Sequence, residues 1–407
     1  MSEWNVCCID DLGTVNRGKS KHRPRNDSLL FGGRHPFIQT ADVKKANLYI
    51  TEYNETYSDI GLAQSKLWDK GTLCITIAAN IAESAILGID ACFPDSVVGF
   101  IPHKGKSDLK FVKYLLDEFK VYMQQISKGT TQDNLSLEKL RRVKFNVPEY
   151  NTQVKIANFL STYDDLIENN QRRIALLEKV AQELYKEWFV RFRFPGYENA
   201  KFENGLPKGW DVVKLGDYVD IKGGKRLPEG KSLCCKATEH PYIRIRDITT
   251  SKYVSLTNNF EYIDNETFNI IHQFTVNTND ILISIVGTIG AVACVSKSLN
   301  GANLTENCVK LVNLRHFTNS YLYHFLNSES GKGLIQTGVV GATQPKLPLY
   351  NIKRIKLLKP NADIISAFTT AIEPINQQIM AFTDKNRNLA KQRDLLLPRL
   401  MSGKLEV

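Results

Sequence analysis

Two kinds of apolar pattern alternate along this chain. Short runs of strand length, at 73–78 (LCITIA), 97–101 (VVGFI) and 143–147 (VKFNV), sit between Gly, Pro and Asp punctuation. The stretch 109–126 has apolar positions at helical spacing and predicts one short helix, with a counterpart at 320–327. After Pro148 and again after Pro360 the pattern changes to long helix with a heptad. In the first helix Ile167, Ile174, Ala181 and Trp188 alternate with Asn170, Leu177 and Leu184; in the second Ile375, Phe382, Leu389 and Leu396 alternate with Ile379, Asn386 and Arg393. About three heptads with polar residues at some core positions would not stand alone in water. Paired with each other, the helices would bury one shared seam, and Asn170 with Asn386 would fix its register. The alternative is that each stripe packs on its own domain. Pro374 predicts a regular second segment that begins at Ile375, and Pro398 ends it after Leu397.

The whole layout occurs twice, with a period near 206 to 212 residues. Trp4-Asn5-Val6 corresponds to Trp210-Asp211-Val212, and Gly18-Lys19 to Gly224-Lys225. His35-Pro36-Phe37-Ile38 matches His240-Pro241-Tyr242-Ile243, and Asp42-Val43 falls near Asp247-Ile248. LCITIAANIA from Leu73 pairs with ILISIVGTIG from Ile281, and Gly129-Thr130-Thr131-Gln132 with Gly341-Ala342-Thr343-Gln344. Finally LRRVK, ending at Pro148, pairs with IKRIK, ending at Pro360. The expected fold class is mixed α/β, as two similar domains separated by two long antiparallel coiled-coil helices, a pseudo-two-fold internal repeat. The expected boundaries are 1–150, a spacer helix at 151–194, a linker and second domain at 195–360, and a distal helix with its tail at 361–407.

Composition narrows the function. With 407 residues, 43% hydrophobic and 24% charged, the chain is neither a disordered polymer nor a fibre. The excess of 53 Lys+Arg over 43 Asp+Glu, a net +10, points to a polyanionic partner. The acidic start MSEWNVCCIDDLG does not read as a secretory signal, and ILISIVGTIGAVACV at 281–295 is too short and too interrupted for a membrane span. Eight Cys without a C-x-x-C read as reduced thiols in the cytoplasm, with no metal site.

Two basic domains on a spacer of fixed length suit duplex DNA read at two half-sites. Segments of about 23 residues, roughly 35 Å, would span about one helical turn. Candidate DNA contacts recur at matching places. Lys19, Lys21, Arg23 and Arg25 in GKSKHRPR face Lys225 and Arg226 in GGKRLPEGK. Arg34 and Gln39 face Arg244 and Arg246, and Lys128, Thr131 and Gln132 face Thr343, Gln344 and Lys346. Gln suits adenine and Arg suits guanine, with Lys and Arg around them for phosphates. Any one of these taken singly reads as a solvated surface residue; the set in a duplicated basic protein favours DNA.

At this point a resemblance becomes specific. NNQRRIALLEKVAQELYKEWFVRFRFPG (169–196) resembles the central region of the specificity subunit of type I restriction-modification enzymes, and RDLLLPRLMSGKLEV (393–407) its distal region. GTTQDNLSLEKLRRVKFNVP (129–148) and GATQPKLPLYNIKRIKLLKP (341–360) resemble the ends of its two target-recognition domains. The resemblance implies a non-catalytic subunit that reads a bipartite asymmetric DNA sequence. It also implies two adenine-N6 methyltransferase subunits as partners and two motor-nuclease subunits in the full assembly. S-adenosylmethionine, ATP and Mg would then sit on those partners, with no cofactor in this chain and no membrane.

Two other readings belong to different classes. GTVNRGKS (13–20) fits the Walker A pattern, but CIDDL precedes it and KHRPRND follows, without the strand and helix a phosphate cradle needs. A coiled-coil scaffold with no DNA role is the other. No G-x-G-x-x-G after a strand, no Asn-Pro-Pro-aromatic motif and no His pair at zinc-hydrolase spacing suggests catalysis.

Overall fold

A computed structural model describes residues 4–127, 134–249, 251–257 and 260–407. The chain divides into two compact units, Met1–Asn169 with Asn388–Val407, and Asn170–Arg387. Each is a mixed α/β body on segments of both long helices.

In the first unit a five-stranded sheet runs in the order Gly13–Arg17, Val97–Pro102, Leu73–Thr76, Ser84–Leu87, Tyr49–Ile50. Neighbours are antiparallel except the last pair, in which Tyr49 lies parallel to Ile86. The second unit repeats it: Asp220–Gly223, Cys308–Val312, Ile281–Ser284, Val292–Val295, Tyr253–Val254, again with a parallel edge, Tyr253 against Cys294. The apolar run at 281–295 is thus a hairpin of two buried strands, and among the described residues no helix is long and apolar enough to cross a membrane. Even the turn is duplicated. The Thr76 hydroxyl accepts from the Glu83 amide at 2.9 Å, as the Ser284 hydroxyl accepts from the Ala291 amide at 2.9 Å.

The units differ beside this sheet. In the first, Phe31–Phe37 lies between Glu55–Tyr57 and Ala91–Cys92 in a four-stranded sheet; in the second, Tyr242–Ile243 pairs with Asn303–Leu304, and single bridges join Pro241 to Tyr262 and Thr275 to Asn303. A two-stranded ribbon in each, Asn5–Cys7 on Phe145–Val147 and Asp211–Lys214 on Lys356–Lys359, ties the start of the domain to the lead-in of its long helix.

The short helix expected in each half is a pair of helices. Asp108 caps the first by accepting from the Phe111 amide at 2.9 Å, and Leu109–Glu118 is followed by Lys120–Ser127. Thr318 caps Asn319–Asn327, and Ser328 caps a further helix, Glu329–Thr337. The sequence of that last helix, ESGKGLIQT, carries two glycines and too few apolar positions to show a period.

Both long helices have 40 residues, Tyr150–Phe189 and Ala362–Met401. The expectation of 23-residue segments bounded by Pro374 and Pro398 is therefore corrected. Both prolines are exposed, so each ring sits on the outer face, while the residues around it anchor the helix. Phe368, Ile372 and Ile379 bracket Pro374 in the second unit's core, and Leu400 with Met401 reach the first unit's core beyond Pro398. Burial of that face outweighs one lost backbone hydrogen bond at each proline. At roughly 1.5 Å per residue each helix is about 60 Å long, so the match to one turn of DNA does not hold.

Within each unit the helices run antiparallel. In the second, Asn170 meets Asn386, Arg173 lies over the Phe382 ring, and Trp188 packs on Phe368. In the first, Asp164 meets Arg393, while Ile156, Ala157 and Leu160 share a core with Leu400 and Met401.

Candidate nucleic-acid interface

The first basic loop leaves the edge strand of the sheet in both units, and a glycine makes its exit possible. The Gly18 amide donates to the Val97 carbonyl at 2.9 Å and the Lys19 amide to Phe93 at 3.2 Å. Gly224 and Lys225 do the same toward Cys308 (3.0 Å) and Leu304 (2.8 Å). A Cβ on Gly18 would drive into the carbonyl oxygens of Pro94 and Phe93, and one on Gly224 into those of Thr305 and Leu304. The Gly18 and Lys19 amides that a phosphate cradle would use are thus committed to backbone carbonyls, and no helix begins at residues 18–22. GTVNRGKS is a chain crossing, and a nucleotide site has no support there.

Beyond the crossing, Lys19 and Lys21 extend into solvent. The Lys21 amide donates to Gln64 Oε1 at 2.6 Å, which pins the loop against the segment around Ser65. Arg23 turns back on its own loop, donating to the carbonyls of Ser20 (2.7 Å) and His22 (2.8 Å). Arg25 pairs with Asp95 at 2.8 Å. In the second unit Arg226 pairs with Glu306 at 2.9 Å, and Lys225 Nζ stands 5.7 Å over the Phe274 ring. Asp95 and Glu306 hold corresponding places, each two residues ahead of the carbonyl that receives the glycine amide. Burial pushes the Glu306 carboxyl up, but hydrogen bonds led by Arg226 hold it below the usual range.

The second cluster sits where each chain leaves the smaller sheet. Gln39 and Arg244 precede the short helices Thr40–Lys45 and Ile245–Ile248. The Gln39 amide donates to Asp42 Oδ2 at 2.8 Å and the Arg244 amide to Asp247 Oδ2 at 2.7 Å. Each side chain is then held by a glutamate from the neighbouring segment. Gln39 Nε2 donates to Glu55 Oε2 at 2.6 Å. Arg244 Nη1 donates to Glu261 Oε2, and Arg246 Nη2 reaches the same oxygen at 2.9 Å. The glutamates match as well, since Glu55 lies opposite Phe37 in its strand pair and the Glu261 carbonyl accepts from the amide of Tyr242. The hydrogen bond to Glu261 raises the Arg244 pKa above its ordinary value. Arg34 stays exposed, its Nη2 3.6 Å from Asp59.

The second unit brings its first two clusters together. The Tyr242 hydroxyl donates to the Lys225 carbonyl at 2.7 Å, and the Thr305 amide, beside Glu306, donates to Ile243 at 3.1 Å. Thr343, Gln344 and Lys346 lie on an exposed loop closed by reciprocal backbone bonds of 2.9 Å between Val340 and Lys346. Their counterparts Lys128, Thr131 and Gln132 lie outside the described residues.

Of the helix positions, Ile167, Asn170, Ala181, Trp188 and Ile379 are buried, and Ile174, Leu177, Leu184, Ile375, Phe382, Asn386, Leu389 and Leu396 are half-buried. Asn170 Nδ2 donates to Asn386 Oδ1 at 2.8 Å. Reading by residue type missed the acids Glu55, Glu261, Asp95 and Glu306, because a basic surface was sought. It also missed two buried polar nodes at corresponding places. In the first unit Asp164 accepts from the Tyr114 hydroxyl and from Arg393 Nη1. In the second, Asn376 Oδ1 accepts from Lys252 Nζ at 2.6 Å, which also lies 3.4 Å from His324 Nε2. Burial drives the pKa of both Lys252 and His324 down. The heptad did not point to Asp164, since its spacing runs back from Ile167 to Tyr163 and Leu160 and passes over it.

Comparison with known proteins follows the duplication. The family model described as "Type I restriction modification DNA specificity domain" matches residues 1–179 and again 207–389. The type I restriction enzyme MjaIX specificity subunit of Methanocaldococcus jannaschii is 27% identical over 419 aligned residues, covering 100% of this chain and 94% of that protein. The HindI specificity subunit of Haemophilus influenzae is 21% identical, covering 72% of this chain and 76% of that one. The crystal structure of a type I restriction-modification S subunit from M. genitalium superposes with a TM-score of 0.54 at 17% identity, covering 98% of this chain and 96% of that one. That likeness speaks for the fold.

Proposed function

The chain belongs to the type I restriction-modification DNA specificity family, and from that premise we propose that it reads a bipartite, asymmetric DNA target, one half with each unit. It is the DNA-recognition component of a restriction-modification complex and not its catalyst. One observation carries the bipartite reading: the same two surface positions, a basic loop after a glycine crossing and a donor side chain before a short helix, recur in both units with different residues. Repetition supplies two readers, and the change from Gln39 to Arg244 supplies different half-sites.

In this reading Lys19, Lys21, Arg25, Arg34, Lys225, Arg226, Arg246 and Lys346 engage phosphates or bases around Gln39, Arg244, Thr343 and Gln344, while Arg23 shapes its loop. Lys128, Thr131 and Gln132 join them on sequence grounds. The recognition domains span 1–150 and 195–360, and the helical segments 151–194 and 361–407 set the gap between half-sites. Methylation is done in trans by two adenine-N6 methyltransferase subunits that flip the target base, with motor-nuclease subunits completing restriction. S-adenosylmethionine, ATP and Mg belong to those partners, and the assembly works in the cytoplasm, where its DNA is.

The test is a footprint of the chain with its methyltransferase partners, on wild type and on a variant with one heptad inserted after Leu177 and one near Phe382. Arg173 lies over the Phe382 ring at 5.6 Å and Leu177 is one helical turn further on, so the two insertions fall about one turn apart across the pair. Seven residues add roughly 10 Å, about three base pairs. Two protected patches with unchanged sequences and a wider gap are expected. A constant gap refutes the spacer, and no protection with partners present favours a scaffold without a DNA role.

A further inference from the structure

We propose that Gln39 and Arg244 are the corresponding base-reading side chains of the two units, and that Glu55 and Glu261 are the positioning residues that aim them. This rests on the DNA-recognition reading above and names the residues that set its specificity.

The two places correspond in three local respects. Each follows the smaller sheet, each donates its amide to an aspartate three residues on, and each lies beside a glutamate from the segment opposite the residue two positions earlier. Where the backbone setting is held constant and only the side chain changes from amide to guanidinium, the difference lies in what is read. Gln39 is exposed and the Arg244 side chain is 43% exposed, so both present their remaining groups to solvent.

The glutamates decide which groups those are. An ionised carboxylate only accepts, so Glu55 must hold the Nε2 side of Gln39. That turns Oε1 and the second Nε2 hydrogen outward, an acceptor beside a donor, which matches adenine N6 and N7. Glu261 holds one nitrogen of Arg244 and gathers Arg246 on the same oxygen. The remaining guanidinium hydrogens offer donors only, which matches guanine O6 and N7. A negative charge at a DNA-facing surface works against phosphate attraction. Its recurrence in both units is explained by aim, since an untethered long side chain would lose rotamer freedom on binding.

The experiment selects bound fragments from a randomised duplex pool, using the full chain assembled with its methyltransferase partners, and follows with competition binding. Gln39→Arg should move the preference at one base pair of one half-site from adenine to guanine and leave the other half-site alone. Arg244→Gln should do the reverse in the other half. Each variant's untouched half-site reports that the chain is folded. Glu261→Ala should cut discrimination at Arg244's position about tenfold while binding to random DNA stays equal or tightens. Glu261→Gln, which keeps an acceptor, should recover part of it, and a merely structural glutamate would weaken both kinds of binding together. If the wild type selects a bipartite sequence that these variants leave unchanged, or weaken evenly at every position, the assignment is overturned and the recognition reading stands. If the wild type selects no sequence at all, both fall.

Discussion

Removing the Asp164 carboxylate probes how the first recognition domain is held to its helices. Asp164 is 3% exposed and accepts from Tyr114 Oη, on a helix of the recognition domain, and from Arg393 Nη1, on the second long helix. Burial and then the Asp164 charge drive the Tyr114 hydroxyl well above its ordinary pKa, so it stays a donor at every working pH. Burial lowers the Arg393 pKa, but the charges and hydrogen bonds of Asp164 and Asp394 together outweigh it and the net shift is upward. Breaking a buried pair on one side costs about 3–5 kcal/mol. Arg393 is 24% exposed and keeps Asp394 at 2.7 Å, which moves the expectation to the lower end. The stranded Tyr114 hydroxyl adds to it, since an unmet buried donor costs about 1–3 kcal/mol. Asp164→Ala should therefore cost about 4 kcal/mol, a fall of roughly 8–16 °C in the melting temperature of a unit this size, read by calorimetry on the full chain. Combining Asp164→Leu with Arg393→Met and Tyr114→Phe should restore most of the loss, because apolar replacement of a buried polar triad is close to neutral. A single variant that melts within about 3 °C of the parent, or a triple variant that melts no higher than the single, would show that the node bears little of the attachment.

Further consequences can be checked with the same material. Asn170→Leu should cost about 1 kcal/mol, and the double variant with Asn386→Leu less than the sum of the two singles, in a double-mutant cycle. Gly18→Ala and Gly224→Ala should each destabilise by about 1–3 kcal/mol, because what a methyl would strike is backbone carbonyl and not a flexible side chain. For His324, whose folded pKa lies well below the usual 6.5, the unfolded chain takes up the proton first as pH falls. Stability should thus be fully present above pH 6.5 and decline below it by up to about 1.4 kcal/mol per pH unit. The variant His324→Gln should remove that share of the slope, and identical slopes would place the acid sensitivity elsewhere.

The duplication is where sequence and tertiary structure divide most clearly. Period and order were legible because Gly18 and Gly224, Thr76 and Ser284, and Asp42 and Asp247 each perform one backbone task that few residue types can do, so identity survives in the letters. The heptad was legible for the same reason, since a buried stripe constrains every third or fourth residue whatever lies beyond it. The lengths of the long helices were not. Pro374 and Pro398 are local signals, and only the cores that receive Phe368, Ile372, Leu400 and Met401 decide that helix continues through both. Nor was the state of the basic residues. Sequence alone marks Arg25, Arg226, Arg244 and Gln39 as donors, but their acids Asp95, Glu306, Glu261 and Glu55 stand 70, 80, 17 and 16 residues away. Residue type determines what a side chain can donate. Chain folding over those separations determines which acceptor it meets first, and so which hydrogens remain for DNA.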